Sequence, residues 1–172
     1  MNIDQIDPEK ILKHYGQIGQ ILDGLWFIEL EKELGFEKTL AIDEKVWKIF
    51  PQKEAKRIKS LLGFDKPNIK DIQNALKLAV FNQSLQWTLE EISDSPMIIR
   101  MRINGCKTLK GMQTVGRTQE QINRVCYEIG IAYFESFLNA LSPAVKVNCI
   151  HCPGRGEKIT DDVCVWEFQF NS

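Results

Sequence analysis

The chain has 172 residues, a net charge of −1 and a hydrophobic fraction of 44%. A chain of this length buries roughly 70% of its unfolded surface, so a core can form without disulfides. Basic and acidic residues are mixed along the chain, which argues against a nucleic-acid partner. The polar N-terminus and the absence of an apolar run near ~20 residues predict a cytoplasmic protein with no membrane partner.

Residues 1–82 show the spacing of apolar residues that is typical of a helical bundle. Asp7 and Pro8 are the residue types that begin a helix. Breaks are predicted at Asp23-Gly24, Gly35, Pro51 and Gly63. The sequence therefore predicts five helices, at about 8–22, 25–34, 37–50, 52–62 and 69–80. The apolar residues expected to face inward include Trp26, Leu30, Leu34, Val46, Phe50, Leu61 and Leu62.

Residues 83–172 change to a strand pattern and predict a β-β-α-β-β region. Apolar and polar residues alternate over 85–90 and 99–103, with a turn between them. A glycine-rich loop is expected at 105–117, followed by a long helix that begins at a Thr118–Gln121 capping box and runs to about Leu141. Two more strands follow, so we predict an α+β fold: a helical bundle, then an antiparallel sheet of about four strands covered by one long helix.

Five cysteines, an odd number, in a reducing compartment argue against a disulfide framework. Cys149, Cys152 and Cys164 lie in the last two predicted strands, and Cys149 is expected opposite Cys164. Three thiolates of this kind can hold zinc or an iron–sulfur cluster, with a fourth ligand from Cys106, Cys126 or His151. Buried thiols that only pack and a redox-active pair remain alternatives.

The helical half contains a second set of candidates, the carboxylates of Asp23, Glu31, Asp43 and Glu54. Carboxylates from several helices can converge on a metal in a bundle core, but that design uses Glu-x-x-His pairs, which this chain lacks. The interpretation we favour is that these acids cap helices or pair with Lys45, Arg57 or Lys59. Asp23 would then be the N-cap of the second helix.

An ordered set of residues resembles an uncharacterised family of bacterial and archaeal cytosolic proteins. The set runs through Gly24-Leu25-Trp26-Phe27, Glu31, Gly35, Asp43, Val46-Trp47 and Glu54-Ala55-x-Arg57, then Cys106, Cys126, Tyr133-Phe134, Cys149-x-x-Cys152-Pro153 and Cys164-x-Trp166-x-Phe168. The resemblance implies no assigned activity. In that family a histidine often precedes Gly-Leu-Trp-Phe, and an acid and a histidine tend to follow Cys-Pro; here Asp23 and Gly154-Arg155-Gly156 stand in those places.

The cysteine layout is also similar, more distantly, to proteins of the L-2-amino-thiazoline-4-carboxylic acid hydrolase type. That resemblance implies a ring-opening hydrolysis, with Cys149, Cys152 or Cys164 as nucleophile or metal ligand. Three functions therefore stay open: a protein that binds a metal or a small-molecule ligand through its cysteines, a hydrolase, and a non-catalytic scaffold with structural thiols. The sequence is compatible with a homo-oligomer and does not decide whether the protein is an enzyme.

Overall fold

The computed structural model describes residues 5–153 and 163–170, and it has the predicted α+β architecture. The helices are α1 (Pro8–Leu34), α2 (Phe36–Leu62), α3 (Ile69–Leu78), α4 (Lys107–Thr114), α5 (Gln119–Arg124) and α6 (Gly130–Leu141). A short 3₁₀ helix spans Phe81–Ser84, and a π-helical turn, Val125–Ile129, joins α5 to α6. The strands are β1 (Leu85–Asp94), β2 (Met97–Cys106), β3 (Lys146–His151) and β4 (Cys164–Phe170).

Helix α1 is 27 residues long and passes through Asp23-Gly24 without a break, so the prediction of two helices here was wrong. Asp7 caps its start and accepts a hydrogen bond from the backbone N–H of Glu9. A glycine inside a helix costs about 1 kcal/mol relative to alanine but keeps its N–H donor, so it weakens a long helix without ending it. The helix ends at Gly35, whose φ of 76° favours glycine.

Helix α2 is also 27 residues long and contains Pro51, which was wrongly predicted to end it. Proline removes one backbone donor, yet the ring of Pro51 is buried, and the helix continues to Leu62. Gly63 then adopts a left-handed conformation and donates to the carbonyl of Lys59. The helical half therefore has two long helices where the sequence predicted four shorter ones.

The four strands form one antiparallel sheet in the order β1-β2-β4-β3. The inner face of the central strands is apolar, as the alternation predicted: Ile99, Met101 and Phe168 are buried. On the outer face, Arg100 pairs with Glu167 at 2.8 Å. The pattern of period two therefore placed the strands and their faces correctly.

The core is a set of packed aromatic rings between α2, α6 and the sheet. Phe134 of α6 lies 5.0 Å from the rings of both Trp166 and Phe168, measured between ring centroids. On the other side of α6, Tyr133 packs edge-on against Trp47 of α2 at 5.7 Å. The long predicted helix thus lies in the middle of the molecule, with the sheet on one side and α2 on the other.

Much of the apolar surface of α1 faces solvent, contrary to the prediction. Trp26 is 63% exposed, and only Gly16 of this helix is fully buried. Helical spacing shows that apolar residues share a face, but it does not say whether another element covers that face. Other residues predicted to face inward that are exposed are Leu34, Val46, Phe50, Leu61 and Leu62, while Leu30 is half-buried.

The predicted loop at 105–117 contains a helix, α4, which begins directly after β2. The Sγ atom of Cys106 caps this helix by accepting a hydrogen bond from the N–H of Leu109 at 3.4 Å. Of the three glycines that suggested a loop, only Gly116 has a left-handed φ, and it lies beyond the helix. Within the described ranges, no helix is both long and apolar enough to cross a membrane.

Candidate functional site

A cavity of about 430 Å³ lies where α1 and α2 meet α4, the π-helical turn, α6 and the inner face of the sheet. Its wall is mainly apolar, with Phe27, Trp47, Phe134 and Trp166 among the larger side chains. The volume falls within the range of pockets that bind small molecules in proteins. This cavity is the best candidate site in the described part of the chain.

Two carboxylates from different helices face this cavity, Asp23 from the middle of α1 and Asp43 from α2. Burial raises the pKa of Asp23 to about 6. Burial, and then the negative charge of Asp23, raise the pKa of Asp43 to about 7, although a hydrogen bond from Trp47 partly offsets this rise. The two acids therefore interact, and near neutral pH the pair carries less than its full negative charge.

No lysine or arginine in residues 5–153 and 163–170 forms an ion pair with Asp23 or Asp43. Two cationic side chains do line the cavity, but Lys107 is exposed and Arg117 is bound to Glu31. Partly buried carboxylates are usually paired or hydrogen-bonded. The acid pair therefore has a capacity for binding that the described residues leave unused.

A third polar group belongs to Tyr133, which lines the cavity and is only 1% exposed. Its hydroxyl has no hydrogen-bond partner among the described residues. Burial, and the nearby carboxylate of Glu54, raise the pKa of Tyr133 well above its usual value, so the phenol stays protonated. The hydroxyl is therefore a buried donor without an acceptor, which is rare in folded proteins.

Arg117 lines the cavity and joins α1 to the connection between α4 and α5. Its guanidinium forms a forked ion pair with both carboxylate oxygens of Glu31. The guanidinium also lies 5.6 Å from the ring centroids of Phe27 and Phe36. The hydrogen bonds from Arg117 hold the pKa of Glu31 below its usual value, so the pair is ionised at neutral pH.

The π-helical turn Val125–Ile129 contributes to the wall of the cavity. Such turns carry one residue more than an α-helical turn and occur often at functional sites. Val125, Cys126 and Ile129 all line the cavity. The next residue, Gly130, lets Trp166 come close, because an added Cβ would lie 2.7 Å from the ring atom Cζ2.

Three of the five cysteines, Cys106, Cys126 and Cys164, line the same cavity. Burial raises the pKa of each thiol, and for Cys126 the neighbouring Cys164, Cys106 and Cys152 raise it further. The cavity brings together one thiol from β2, one from the π-helical turn and one from β4, whereas Cys149 and Cys152 are not part of its wall. Neutral, buried thiols are weak nucleophiles, so this environment suppresses thiolate chemistry.

The geometry of the terminal hairpin differs from the prediction. Cys149 pairs with Trp166, and Cys164 pairs with Ile103 of β2, so the expected Cys149–Cys164 opposition was wrong. A register shift follows Cys149, and half-buried His151 then pairs with Val165. Cys152 is buried, with its Sγ 3.9 Å from the side-chain oxygen of Asn123.

Within residues 5–153 and 163–170, no group of three or more histidine, cysteine, aspartate or glutamate side chains is arranged to hold a metal ion. The five cysteines are described, and all are free thiols. The zinc or iron–sulfur site stays a prediction without a preformed ligand cluster in this part of the molecule. The Gly154-Arg155-Gly156 segment lies outside the described residues.

A protein-family model matches residues 8–170, which is nearly the whole chain. The chain belongs to the family of unknown function DUF6125. Neither the search of curated proteins nor that of solved structures gave a match. Membership of DUF6125 agrees with the inferred resemblance to a family without an assigned activity. The bacterial and archaeal distribution and the likeness to thiazoline hydrolases stay predictions.

Among the four acids predicted in the helical half of this DUF6125 protein, only two face the cavity together. Glu31 pairs with Arg117 rather than with a lysine or arginine of its own half. Glu54 accepts a hydrogen bond from the backbone N–H of Val80 at 2.7 Å, and burial raises its pKa. Arg57, a secondary candidate, is exposed on α2 and is not part of the cavity wall.

Sequence reasoning missed Tyr133 and Arg117 as site residues. Tyr133 lies in an apolar helical stripe and looks like an ordinary core residue. Arg117 follows Gly116 in the predicted loop, where a single arginine does not indicate a site. The sequence around each residue contains no pattern that indicates a pocket, because the cavity is formed by elements far apart in the chain.

Proposed function

We propose that this protein binds a small, mainly apolar organic molecule in the cavity between α1, α2, α6 and the sheet. The observation that carries the proposal is the cavity of about 430 Å³, whose largely apolar wall contains three polar groups with unused binding capacity, Asp23, Asp43 and Tyr133. An apolar pocket with a few convergent polar groups is the usual form of a small-molecule site.

The thiols support a binding role rather than thiol chemistry. Cys126 and Cys164 contribute apolar, polarisable surface to the wall, and their raised pKa keeps them neutral. Within this proposal the cysteines line the ligand site without acting as nucleophiles. The proposal also places the protein in the cytoplasm, where five free thiols remain reduced.

Gly24 offers a way to test the cavity, because it lines the wall and an added Cβ there meets no atom within 4 Å. In Gly24→Leu the new side chain should occupy part of the cavity while the helix remains intact. We expect isothermal titration calorimetry with indole to show one binding site in the wild type and at least tenfold weaker binding in Gly24→Leu.

The matched control is Ser60→Leu, which adds the same side chain at an exposed position of α2. It should bind indole as the wild type does, and circular dichroism should show that both variants keep their helices. Equal indole affinity in a folded Gly24→Leu protein, or no indole binding by the wild type at millimolar concentration, would contradict the proposed function.

A hydrolase is the second candidate, and Asp43 is the residue that favours it. Its pKa of about 7 leaves the carboxyl divided between its protonated and ionised forms at neutral pH. A general acid or base works best when its pKa lies near the working pH. In this alternative Asp43 would exchange protons with the bound molecule, and water rather than a cysteine would be the nucleophile.

A further inference from the structure

We infer that the molecule bound in the cavity is an organic cation, an amine or an amidine, whose N–H groups are held between the carboxylates of Asp23 and Asp43. This inference rests on the proposed small-molecule function and names the chemical class of its ligand. Three observations support it: the two acids line the same cavity, no lysine or arginine of the described residues pairs with either of them, and a buried hydroxyl in the same wall has no acceptor there.

The acids come from two different helices and meet only in the folded protein. They are close enough for the charge of Asp23 to act on Asp43. The indole N–H of Trp47 donates to Asp43, and the two cationic side chains that line the cavity, Lys107 and Arg117, form no ion pair with either acid among the described residues. Two like charges in a half-buried site without a counterion disfavour each other.

A cation between the two carboxylates removes this repulsion and restores the solvation that the acids lose on burial. Amines and amidines supply several N–H donors, and an amidinium can donate to two carboxylates at once. An anionic ligand would meet the opposite effect, because it would add negative charge to the same half-buried site. A neutral apolar ligand would leave the carboxylates as they are.

Tyr133 provides an independent sign of a ligand. It is 1% exposed, it lines the cavity, and its hydroxyl lacks an acceptor among the described residues. The ring of Trp47, which donates to Asp43, packs against the ring of Tyr133 at 5.7 Å. Trp47 therefore contacts both Tyr133 and Asp43, and all three residues line the same cavity.

Metal ions fit this pair less well than an organic cation. Two carboxylates provide part of a coordination shell, and no third histidine, cysteine, aspartate or glutamate in the described ranges completes it. The remaining wall is mainly apolar and aromatic. Such a wall matches the hydrocarbon body of an organic ligand, whereas a hydrated divalent ion prefers oxygen ligands and water.

The test compares benzamidine, a planar cation, with benzamide, its neutral analogue of nearly the same shape. We expect calorimetry at pH 8 to show at least tenfold tighter binding of benzamidine. The preference should shrink toward pH 5, because both acids take up protons as the pH falls through about 7 and then 6. Between these pH values benzamidine binding should release protons, which is measured as a dependence of the enthalpy on the buffer.

Four variants locate the effect. Asp23→Asn and Asp43→Asn should each reduce the preference for benzamidine over benzamide severalfold. Asp65→Asn, which removes one negative charge at an exposed position, should leave the preference unchanged. Gly24→Leu should weaken both compounds, which distinguishes binding in the cavity from binding on the surface.

The outcomes separate the ligand class from the proposed function. Equal affinity for benzamidine and benzamide, a preference for benzamide, or an unchanged preference in both aspartate variants would overturn the inference while indole binding upholds the cavity. Failure of indole to bind would instead contradict the proposed function itself.

Discussion

Asp23 and Asp43 differ from the two other acids of the helical half, Glu31 and Glu54, in the groups that surround them. Glu31 has an arginine, Glu54 has a backbone donor, and Asp43 has an indole N–H and a like charge. These partners lie 4 to 86 positions away in the chain, so most of them cannot be predicted from the spacing of neighbouring residues.

The raised pKa of Asp43 makes stability depend on pH. The folded protein keeps its proton up to about pH 7, whereas the unfolded chain releases it near 3.8. Between these values unfolding releases a proton, so the free energy of unfolding falls as the pH rises, and it levels off above about pH 7. Asp43→Asn removes this loss, and we expect the variant to gain roughly 2–3 kcal/mol relative to the wild type between pH 5 and pH 8.

Urea denaturation of both proteins at pH 5 and pH 8 measures this difference. Every other titrating group is common to the two proteins, and Asp23 is the group whose interaction with Asp43 the substitution also removes. Asp65→Asn, at an exposed position, serves as the control and should show no such gain. An Asp43→Asn protein whose stability relative to the wild type is the same at both pH values would show that Asp43 titrates normally.

Helices α1 and α2 show where local signals are weakest. The strands could be predicted because the alternation of apolar and polar residues indicates both a strand and its buried face, as at Ile99, Met101 and Ile103. The helix ends could not be predicted in the same way, because Gly and Pro weaken a helix by free energies that packing and helix length can offset. Helix α4 was missed for the same reason, since Gly105 and Gly111 suggested a loop.

Gly24 and Gly35 provide a direct test of this distinction. An added Cβ meets no atom within 4 Å at either position, but Gly35 has a φ of 76° whereas Gly24 lies inside the helix. We expect Gly24→Ala to stabilise the protein by up to about 1 kcal/mol, because alanine loses less backbone entropy in a helix. Gly35→Ala should destabilise it by about 1–2 kcal/mol, because a left-handed conformation strains alanine.

Thermal unfolding followed by circular dichroism distinguishes the two changes through opposite shifts in melting temperature. Gly63→Ala is a second positive-φ control and should behave like Gly35→Ala. If Gly24→Ala lowered the melting temperature as Gly35→Ala does, α1 would have to bend or end at Asp23-Gly24 in solution.

The fold as a whole joins its helical and sheet halves through two kinds of contact. Packed rings connect α2, α6 and the sheet, and the Glu31–Arg117 ion pair connects α1 to the connection before α5. The first kind could be predicted in outline from the apolar stripe of the long helix. The second could not, because its two residues are 86 positions apart and neither lies in a recognisable motif.

A double-mutant cycle with Glu31→Gln and Arg117→Gln measures the coupling across this connection. The pair is largely shielded from water and forked, so we expect a coupling free energy of about 1–3 kcal/mol in urea denaturation. The exposed Glu29–Lys32 pair on the same helix is the matched control, with an expected coupling below about 0.5 kcal/mol.

Similar coupling energies in the two cycles would mean that Arg117 does not hold α1 in place. A large coupling at Glu31–Arg117 combined with weaker indole binding in either single variant would instead connect this ion pair to the integrity of the cavity. The aromatic contacts of Arg117 with Phe27 and Phe36 predict the second result.

The extra residue in the turn Val125–Ile129 has a consequence for how sequences in DUF6125 diverge. Deletion of a single residue there would restore an ordinary α-helical turn and leave α6 packed against the sheet. It would also rotate α5 by about 100° about the helix axis, since each residue advances an α-helix by that angle. Cys126 and Val125 would leave the cavity wall. A one-residue alignment gap at this point would therefore mark relatives that share the core but have a differently shaped pocket.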